Sequence, residues 1–390
     1  DIIHTIISRS VRAVGAEQGV ITLVDAQADN SMKTLVRTMT SSSPHQQYHF
    51  NQSLLGWMHL NKKPLLVNDP AHDERFRGVV WDTTIRSLLA VPMMVKSVLT
   101  GVLTVYNKKA DGGFTDADQR LLAIIAGQSA QVVENARLAE SERALQRIRE
   151  ELRLASRIQA DLLPKDPPVV PGYDIAGRSI PAQVVGGDLF DFIPMEGGRI
   201  ALCLGDVSGK GLPASLLMAN VQATLRGQTL LDTRVGLCVG RANRLLYQST
   251  SPEKFVTLFY GVLDPARHTL AYTDAGHNAP FHLGPGDVIQ RLSIGGMILG
   301  IMDDVAFEEG SLTFAPGDML FVYSDGISEA MNKEEEQFGE ERLADLLCAH
   351  RQESAAGITD AVLEAVRQFA QGIPQADDMT VVVVKRLAAG

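Results

Sequence analysis

The sequence predicts an α+β protein built as two domains with a helix between them. Three observations carry this. Four prolines fall within the eight residues from Pro164 to Pro171, and proline cannot continue a helix. Ahead of them, a charged segment keeps Leu138, Leu145, Ile148, Leu152, Ala155 and Leu162 on one helical face. On either side lie short alternating apolar runs separated by turn residues, the second set with helical segments in pairs. That is the pattern of antiparallel sheets covered by helices. The resulting divisions are a first domain at 1–137, a helical linker at 138–165 and a second domain at 166–390.

The totals agree. A chain of 390 residues is long for one domain, and 45% hydrophobic with 21% charged residues is a globular composition. A net charge of −10 argues against a nucleic-acid binder, which needs clustered Lys and Arg. The longest apolar runs, such as 88–95, are far short of the roughly 20 residues that span a membrane. No signal-peptide pattern is present. Three widely spaced cysteines form neither a disulfide framework nor a zinc cluster, and a reducing cytoplasm fits. The chain opens on Asp1 in mid-helix, so a longer protein is expected.

In order, residues 1–13 read as an amphipathic helix, 18–25 and 34–40 as strands around a polar loop at 26–31, and Leu54 onward as a short helix. A strand at 63–67 and a hairpin of 87–95 with 98–108 follow. Thr115 or Asp116 then caps a long helix. The order, together with Leu88-Leu89-Ala90-Val91-Pro92-Met93, Thr100-Gly101-Val102-Leu103-Thr104-Val105 and Phe114-Thr115-Asp116-Ala117-Asp118, resembles a GAF domain over about residues 1–137. Such domains bind small molecules in some proteins and only pair subunits in others, and the sequence names no ligand. His45, His49, His59 and His72 read as surface or packing residues, because ligation needs convergent partners. Trp57 and Trp81 read as core.

The helical pattern runs on from Thr115 to Leu163, with charges filling the gaps between apolar positions. A helix this long and polar on most faces needs a partner, so a dimeric coiled coil of about three heptads is expected. The second domain reads as strands at 173–182, 190–195 and 200–206, helices at 212–226 and 234–249, six strands between 255 and 323, helices at 341–350 and 358–370, and a strand at 380–385.

Its chemistry lies in acidic residues at strand ends. Asp188 follows Gly186-Gly187, Asp206 follows Gly205, Asp325 sits between Ser324 and Gly326, and Asp377-Asp378 precede the apolar strand Met379–Val384. Asp beside Gly is also a plain turn signature, and Asp287 and Asp318 are read that way. Three things lift the set. Asp206 enters a Gly-rich turn that lets backbone approach a ligand. Asp377 and Asp378 place charge beside a buried strand, where a cation is a natural remedy. Ala275-Gly276-His277-Asn278 adds a further polar loop. Gathered at one sheet edge, such carboxylates suit Mg²⁺ or Mn²⁺.

Val185-Gly186-Gly187-Asp188-x-x-Asp191, Gly205-Asp206-Val207-Ser208-Gly209-Lys210-Gly211, Phe255-x-Thr257, Ala275-Gly276-His277-Asn278, Ser324-Asp325-Gly326-x-x-Glu329-Ala330 and Asp377-Asp378-Met379-Thr380 resemble, in order, the SpoIIE-type serine/threonine phosphatases of the metal-dependent PPM superfamily. The segment from Leu154 to Pro164 is similar to the helix that precedes such domains in stress regulators. The resemblance implies an αββα sandwich of two antiparallel sheets and two Mn²⁺ or Mg²⁺ ions, with water rather than a side chain as nucleophile. It implies that Asp188, Asp206, Asp325 and Asp377 are catalytic through the metals, with the Val207 carbonyl assisting, and that Asp191, Asp378 and Asn278 stand one layer out. Glu329 matches without a role. The implied substrate is a phosphorylated protein, an anti-sigma-factor antagonist by family analogy, and the implied assembly is a homodimer through the GAF domain and the coiled coil. Lys210 is open to two readings, a phosphate contact or a solvated loop residue.

Two rivals remain. Cys238 to Arg244 matches the Cys-x5-Arg signature of cysteine phosphatases, but Cys238 has the spacing of a helical core residue rather than a phosphate loop. The other rival is a catalytically inactive sensory scaffold, against which the intact acidic set argues. A kinase or nucleotidyl cyclase is not supported, since neither a Walker loop nor a kinase Gly-rich loop is present.

Overall fold

A computed structural model of the chain describes residues 2–24, 35–37, 52–231, 234–251 and 253–388. It divides into two compact units, residues 1–147 and 148–390. The loop expected at 26–31, His45 and His49 lie outside the described residues.

The first unit contains α1 (Ile2–Ala13), β1 (Ala16–Leu23), β2 (Leu35–Arg37), α2 (Gln52–Asn61), β3 (Leu65–Val67), β4 (Leu88–Val95), β5 (Val98–Lys108) and the start of α3 (Asp116–Leu162). Its antiparallel sheet runs β2-β1-β5-β4-β3. Strand alternation sends Leu89, Val91, Leu103 and Val105 to the core shared with Ile7 of α1 and Leu122 of α3. Leu88, Ala90, Val102 and Tyr106 go to the other face, against Leu54 and Met58 of α2. Lys96 and Ser97 both have positive φ, as a two-residue hairpin turn requires. Trp57 and Trp81 pack on the second core, and His72 pairs with Asp69 at the surface.

At the start of α3, Thr115 N–H donates to Asp118 Oδ2 and Asp118 N–H donates to Thr115 Oγ1, a reciprocal cap. No proline interrupts the helix, and it runs unbroken across the division between the units. Residues 141–151 are all exposed, so no core among the described residues supports that stretch.

The second unit contains β6 (Tyr173–Ile180), β7 (Leu189–Pro194), β8 (Ile200–Val207), α4 (Leu212–Leu231), α5 (Val235–Ser249), β9 (Val256–Asp264), β10 (Thr269–Ala275), β11 (Phe281–Leu283), β12 (Ile289–Arg291), β13 (Gly295–Gly296), β14 (Gly310–Thr313), β15 (Met319–Tyr323), α6 (Asp325–Ser328), α7 (Glu340–His350), α8 (Ala355–Ala370) and β16 (Met379–Arg386). One sheet runs β13-β10-β9-β8-β7 with β14 on β10, and the other runs β12-β11-β15-β16-β6. Apart from the short parallel contact of β10 with β13, every pairing is antiparallel.

Alternation again decides the layers. Phe190, Leu202, Leu204 and Phe259 of the first sheet meet Leu320, Val322, Val382 and Val384 of the second. The outer face of the first sheet, with Leu189, Cys203, Leu258 and Tyr260, packs on Met218, Val221 and Val239 of α4 and α5. The outer face of the second, with Phe321, Val381 and Val383, packs on Leu343, Leu347, Ile358 and Val362 of α7 and α8. Helix pair, sheet, sheet, helix pair is the expected sandwich. Each large side chain so buried stabilises it by roughly 1.5–3 kcal/mol.

The strand expected at 306–314 shortens to Gly310–Thr313. The residues before it turn away, because Phe307 packs into the core beneath α5.

Candidate metal centre

Antiparallel pairing puts the start of one strand beside the end of its neighbour. Leu189, opening β7, pairs with Gly205 near the end of β8, and Val381, near the start of β16, pairs with Tyr323 at the end of β15. Asp188 and Asp206 therefore flank one such strand pair, while Asp325 and Asp377-Asp378 flank the other. Asp188 and Asp206 precede and follow the inter-sheet residues Phe190 and Leu204 by two positions, so both point between the sheets.

The two sheets are tied at this edge by the Asp378 carboxylate. It accepts from Ala182 N–H at 2.7 Å, Gly187 N–H at 2.6 Å and Asp188 N–H at 3.3 Å. A side chain at Gly186 would place its Cβ 2.3 Å from Asp378 Oδ2, so only glycine allows this approach. Ser324 Oγ donates to the Asp378 carbonyl and accepts from Thr380 N–H.

The carboxylates act on one another. Burial, and then the charge of Asp206, push Asp188 well above the usual carboxylate range. Burial, and then Asp325, Asp377 and Asp378, push Asp206 up to about 7. Burial, Asp377 and Glu329 raise Asp325. Like charges in a partly desolvated site favour a proton or a cation. Asp188 is 3% exposed and its Oδ2 has no hydrogen-bond partner. One cation is already near: Lys210 Nζ lies 2.9 Å from Asp377 Oδ2 and donates to the Ala376 carbonyl.

Among the described residues, no three His, Cys, Asp or Glu side chains converge into a closed metal cage. The carboxylates stand as separate hard oxygen donors along one edge of the sandwich rather than in a closed cage. The site's chemistry fits Mg²⁺ or Mn²⁺: partly buried carboxylates that repel one another, with an unsatisfied oxygen on the buried Asp188. Asp188, Asp206, Asp325 and Asp377 are the residues that would hold the ions. The Val207 carbonyl lies beside Gly187, 2.9 Å from where a Cβ would stand. Asn278 follows the turn after β10 and is half-buried.

Asp191 belongs elsewhere. Three residues beyond Asp188, it faces the opposite side of the sheet, where Arg226 holds both its oxygens and Gln222 donates to Oδ2. Gln222 also donates to the Leu162 carbonyl at the end of α3. Gln159 of α3 grips the acidic edge itself: Nε2 donates to the Gly186 carbonyl at 2.7 Å, and Gly186 N–H donates to Oε1 at 3.0 Å. Sequence reasoning gave no role to Gln159, Gln222 or Arg226. The Gln159 motif was visible, but its backbone partner lies 27 residues away.

Cys238 is fully buried inside α5, among Val235, Val239 and Ala242. No phosphate loop surrounds it, so the cysteine-phosphatase reading fails.

Comparison with known proteins gives a family for each of the two units. Residues 196–387 match the family Stage II sporulation protein E (SpoIIE), and residues 1–134 match the GAF domain family. The first match covers Asp206, Asp325 and Asp377 and begins after Asp188. The chain is 27% identical over 245 residues to the phosphoserine phosphatase RsbU of Bacillus subtilis, covering 62% of this chain and 71% of RsbU. It is 30% identical over 263 residues to protein IcfG of Synechocystis, covering 60% of this chain but only 41% of IcfG. Among solved structures, the SiaA-PP2C domain of Pseudomonas aeruginosa superposes with a TM-score of 0.55 at 22% identity, covering 63% of this chain and 98% of that domain, a likeness of fold.

Proposed function

The C-terminal unit is a SpoIIE-type domain of the PPM protein phosphatases and a GAF domain precedes it, and from this we propose that the protein hydrolyses phosphoserine or phosphothreonine on a partner protein with the help of two divalent ions. The observation that carries the reading is the set of mutually repelling carboxylates at one edge of the sandwich, Asp188 buried and Asp206, Asp325 and Asp377 half-buried. Two bound ions supply Lewis acidity and a water acidic enough to lose its proton near neutral pH. The chain supplies the rest. Asp188, Asp206, Asp325 and Asp377 neutralise and place the ions, the Asp378 carboxylate holds the Gly187-Asp188 backbone in position, and Lys210 stands at the rim as a positive group for an incoming phosphate.

By family resemblance the substrate is an anti-sigma-factor antagonist in the cytoplasm. No helix among the described residues is long and apolar enough to cross a membrane. Leu138, Leu145, Ile148 and Leu162 of α3 are exposed at heptad-like spacing, which supports a homodimer in which a second copy covers the stripe. Gln159 and Leu162 tie the end of α3 to the acidic edge within the second unit, and α3 begins in the first; this continuity supports regulation of the site by the GAF domain through α3.

The test is phosphate release from p-nitrophenyl phosphate and from a phosphoserine peptide, with Mn²⁺, with EDTA and with Asp206→Asn. Mn²⁺-dependent turnover that the substitution abolishes is the expected result. Turnover that survives EDTA overturns the metal reading. Absence of both turnover and Mn²⁺ binding by calorimetry returns the inactive scaffold.

A further inference from the structure

Thr257 and His277 lie beside the acidic edge with no part in the mechanism above. Thr257 is the register partner of Asp206 across β8 and β9, so the two side chains share the inter-sheet face. Thr257 Oγ1 stands 2.8 Å from His277 Nδ1. The imidazole is only 7% exposed. Its backbone is fixed by the turn after β10: Gly276 has φ +67°, a Cβ there would meet Ile298 at 2.5 Å, and His277 N–H donates to Asp274 Oδ1 at 2.8 Å. On the other side of the ring, Nε2 has no closed hydrogen bond, and the Tyr323 backbone is near enough to act on the ring. Tyr323 ends β15, two residues before Asp325.

The ring thus stands between the strand end that carries Asp206 and the strand end that carries Asp325. Burial holds it neutral, with its pKa lowered to about 4, so it has no proton to give a leaving group near neutral pH. A neutral imidazole has one donor and one acceptor. With the Thr257 hydroxyl donating to Nδ1, the single N–H is on Nε2, which closes no hydrogen bond.

We infer that His277 is a positioning residue: a strut that, through Thr257 on one sheet and the nearby Tyr323 backbone on the other, sets the separation of Asp206 and Asp325 and hence the fit of the acidic edge to divalent ions. The inference rests on the metal reading above. It assigns His277 neither coordination nor proton transfer. Groups that only orient metal ligands typically change metal affinity by about 10–100-fold when lost.

The experiment is Mn²⁺ binding by calorimetry on the full chain, with melting temperature and p-nitrophenyl phosphate kinetics on the same samples. Thr257→Val keeps the side-chain shape and removes the hydroxyl. It is expected to weaken Mn²⁺ binding about tenfold, to leave KM for the phosphate ester within about twofold, and to recover turnover at high Mn²⁺. Thr257→Ser is expected to restore affinity. His277→Gln combined with Thr257→Val is expected to be no worse than the weaker single variant, since both act through one contact. If His277→Gln does not fold, the Val and Ser variants decide alone. Wild-type binding that Thr257→Val leaves unchanged overturns the strut only, as does a Ser variant no better than Val. A wild type that binds no Mn²⁺ overturns the metal reading and the strut together.

Discussion

Asp188 and Asp191 show how one residue's spacing sets its chemistry. They are three positions apart around a strand, so they face opposite sides of the sheet. Asp188 enters the acidic edge, while Asp191 is neutralised by Arg226. The sequence pattern grouped them because both belong to one motif, and only the pleat separates them. Lys210 was equally ambiguous from its neighbours, since its contact with Asp377 joins positions far apart in the chain. The carboxylates themselves were legible, because Asp after Gly at the end of an apolar run is a local signal. Their energetics carry a prediction. Asp206 has a folded pKa of about 7 against a model-peptide value of 3.8, so the folded state binds its proton more tightly than the unfolded state. Without metal, this group therefore lowers stability as pH rises from about 4 to about 7, and the loss is complete above that window. The neutral His277 acts in the opposite sense, losing stability as pH falls from 6.5 toward 4, so the comparison must be made against a variant. In EDTA, Asp206→Asn should melt a few degrees above wild type at pH 8, with the gap closing toward pH 4. With Mn²⁺ at pH 8 the order should reverse. Melting curves at several pH values check it, and an Asn variant less stable than wild type in EDTA at pH 8 would show that the acidic edge is not under repulsion.

Among the elements, α3 does two kinds of work. Its first half buries Leu122, Ala126 and Ala130 in the core of the first unit. Its last turn uses polar groups instead, with Gln159 on Gly186 and the Leu162 carbonyl on Gln222. Gln159 imitates a strand, donating to and accepting from one backbone unit. It thereby holds the residue that precedes Gly187 and Asp188. Gln159→Ala should lower kcat for p-nitrophenyl phosphate about tenfold. The melting temperature should fall by only a few degrees, as expected for a partly exposed pair of hydrogen bonds worth about 1 kcal/mol each. Steady-state kinetics with parallel melts check it; an unchanged kcat would mean that the grip is structural only. Most elements were legible because period-2 and helical patterns were long enough to read. The exceptions have physical causes. The two-residue β13 is Gly295-Gly296 and carries no side-chain pattern, and α6 is a single turn opening with Asp325-Gly326, which reads as a loop. The strand expected at 306–314 failed because the core beneath α5 takes Phe307 out of the alternation.

For the whole molecule, the chain's division is the informative feature. Composition placed the boundary at the prolines of 164–171, where helix cannot continue. Packing divides the chain at Arg147 and Ile148, inside α3. The prolines mark where the helix ends, and the division marks where its supporting contacts change from one unit to the other. Across the division, the exposed stretch 141–151 is held by its own helical hydrogen bonds, unless a second copy covers it. If the GAF domain controls the phosphatase by turning this helix, then phase, not length, is what the helix transmits. One residue inserted after Arg147 rotates everything beyond it by about 100°, whereas seven residues restore both the heptad register and, to within about 20°, the direction of each side chain. The one-residue insertion should therefore shift turnover of p-nitrophenyl phosphate well away from wild type and weaken dimerisation seen by sedimentation at micromolar concentration. The seven-residue insertion should keep turnover within about twofold and remain dimeric. Both insertions lie outside the acidic edge, so Mn²⁺ binding by each should match wild type. Equal turnover from the two would mean that α3 is a tether, and that any signal from the GAF domain reaches the site by another route.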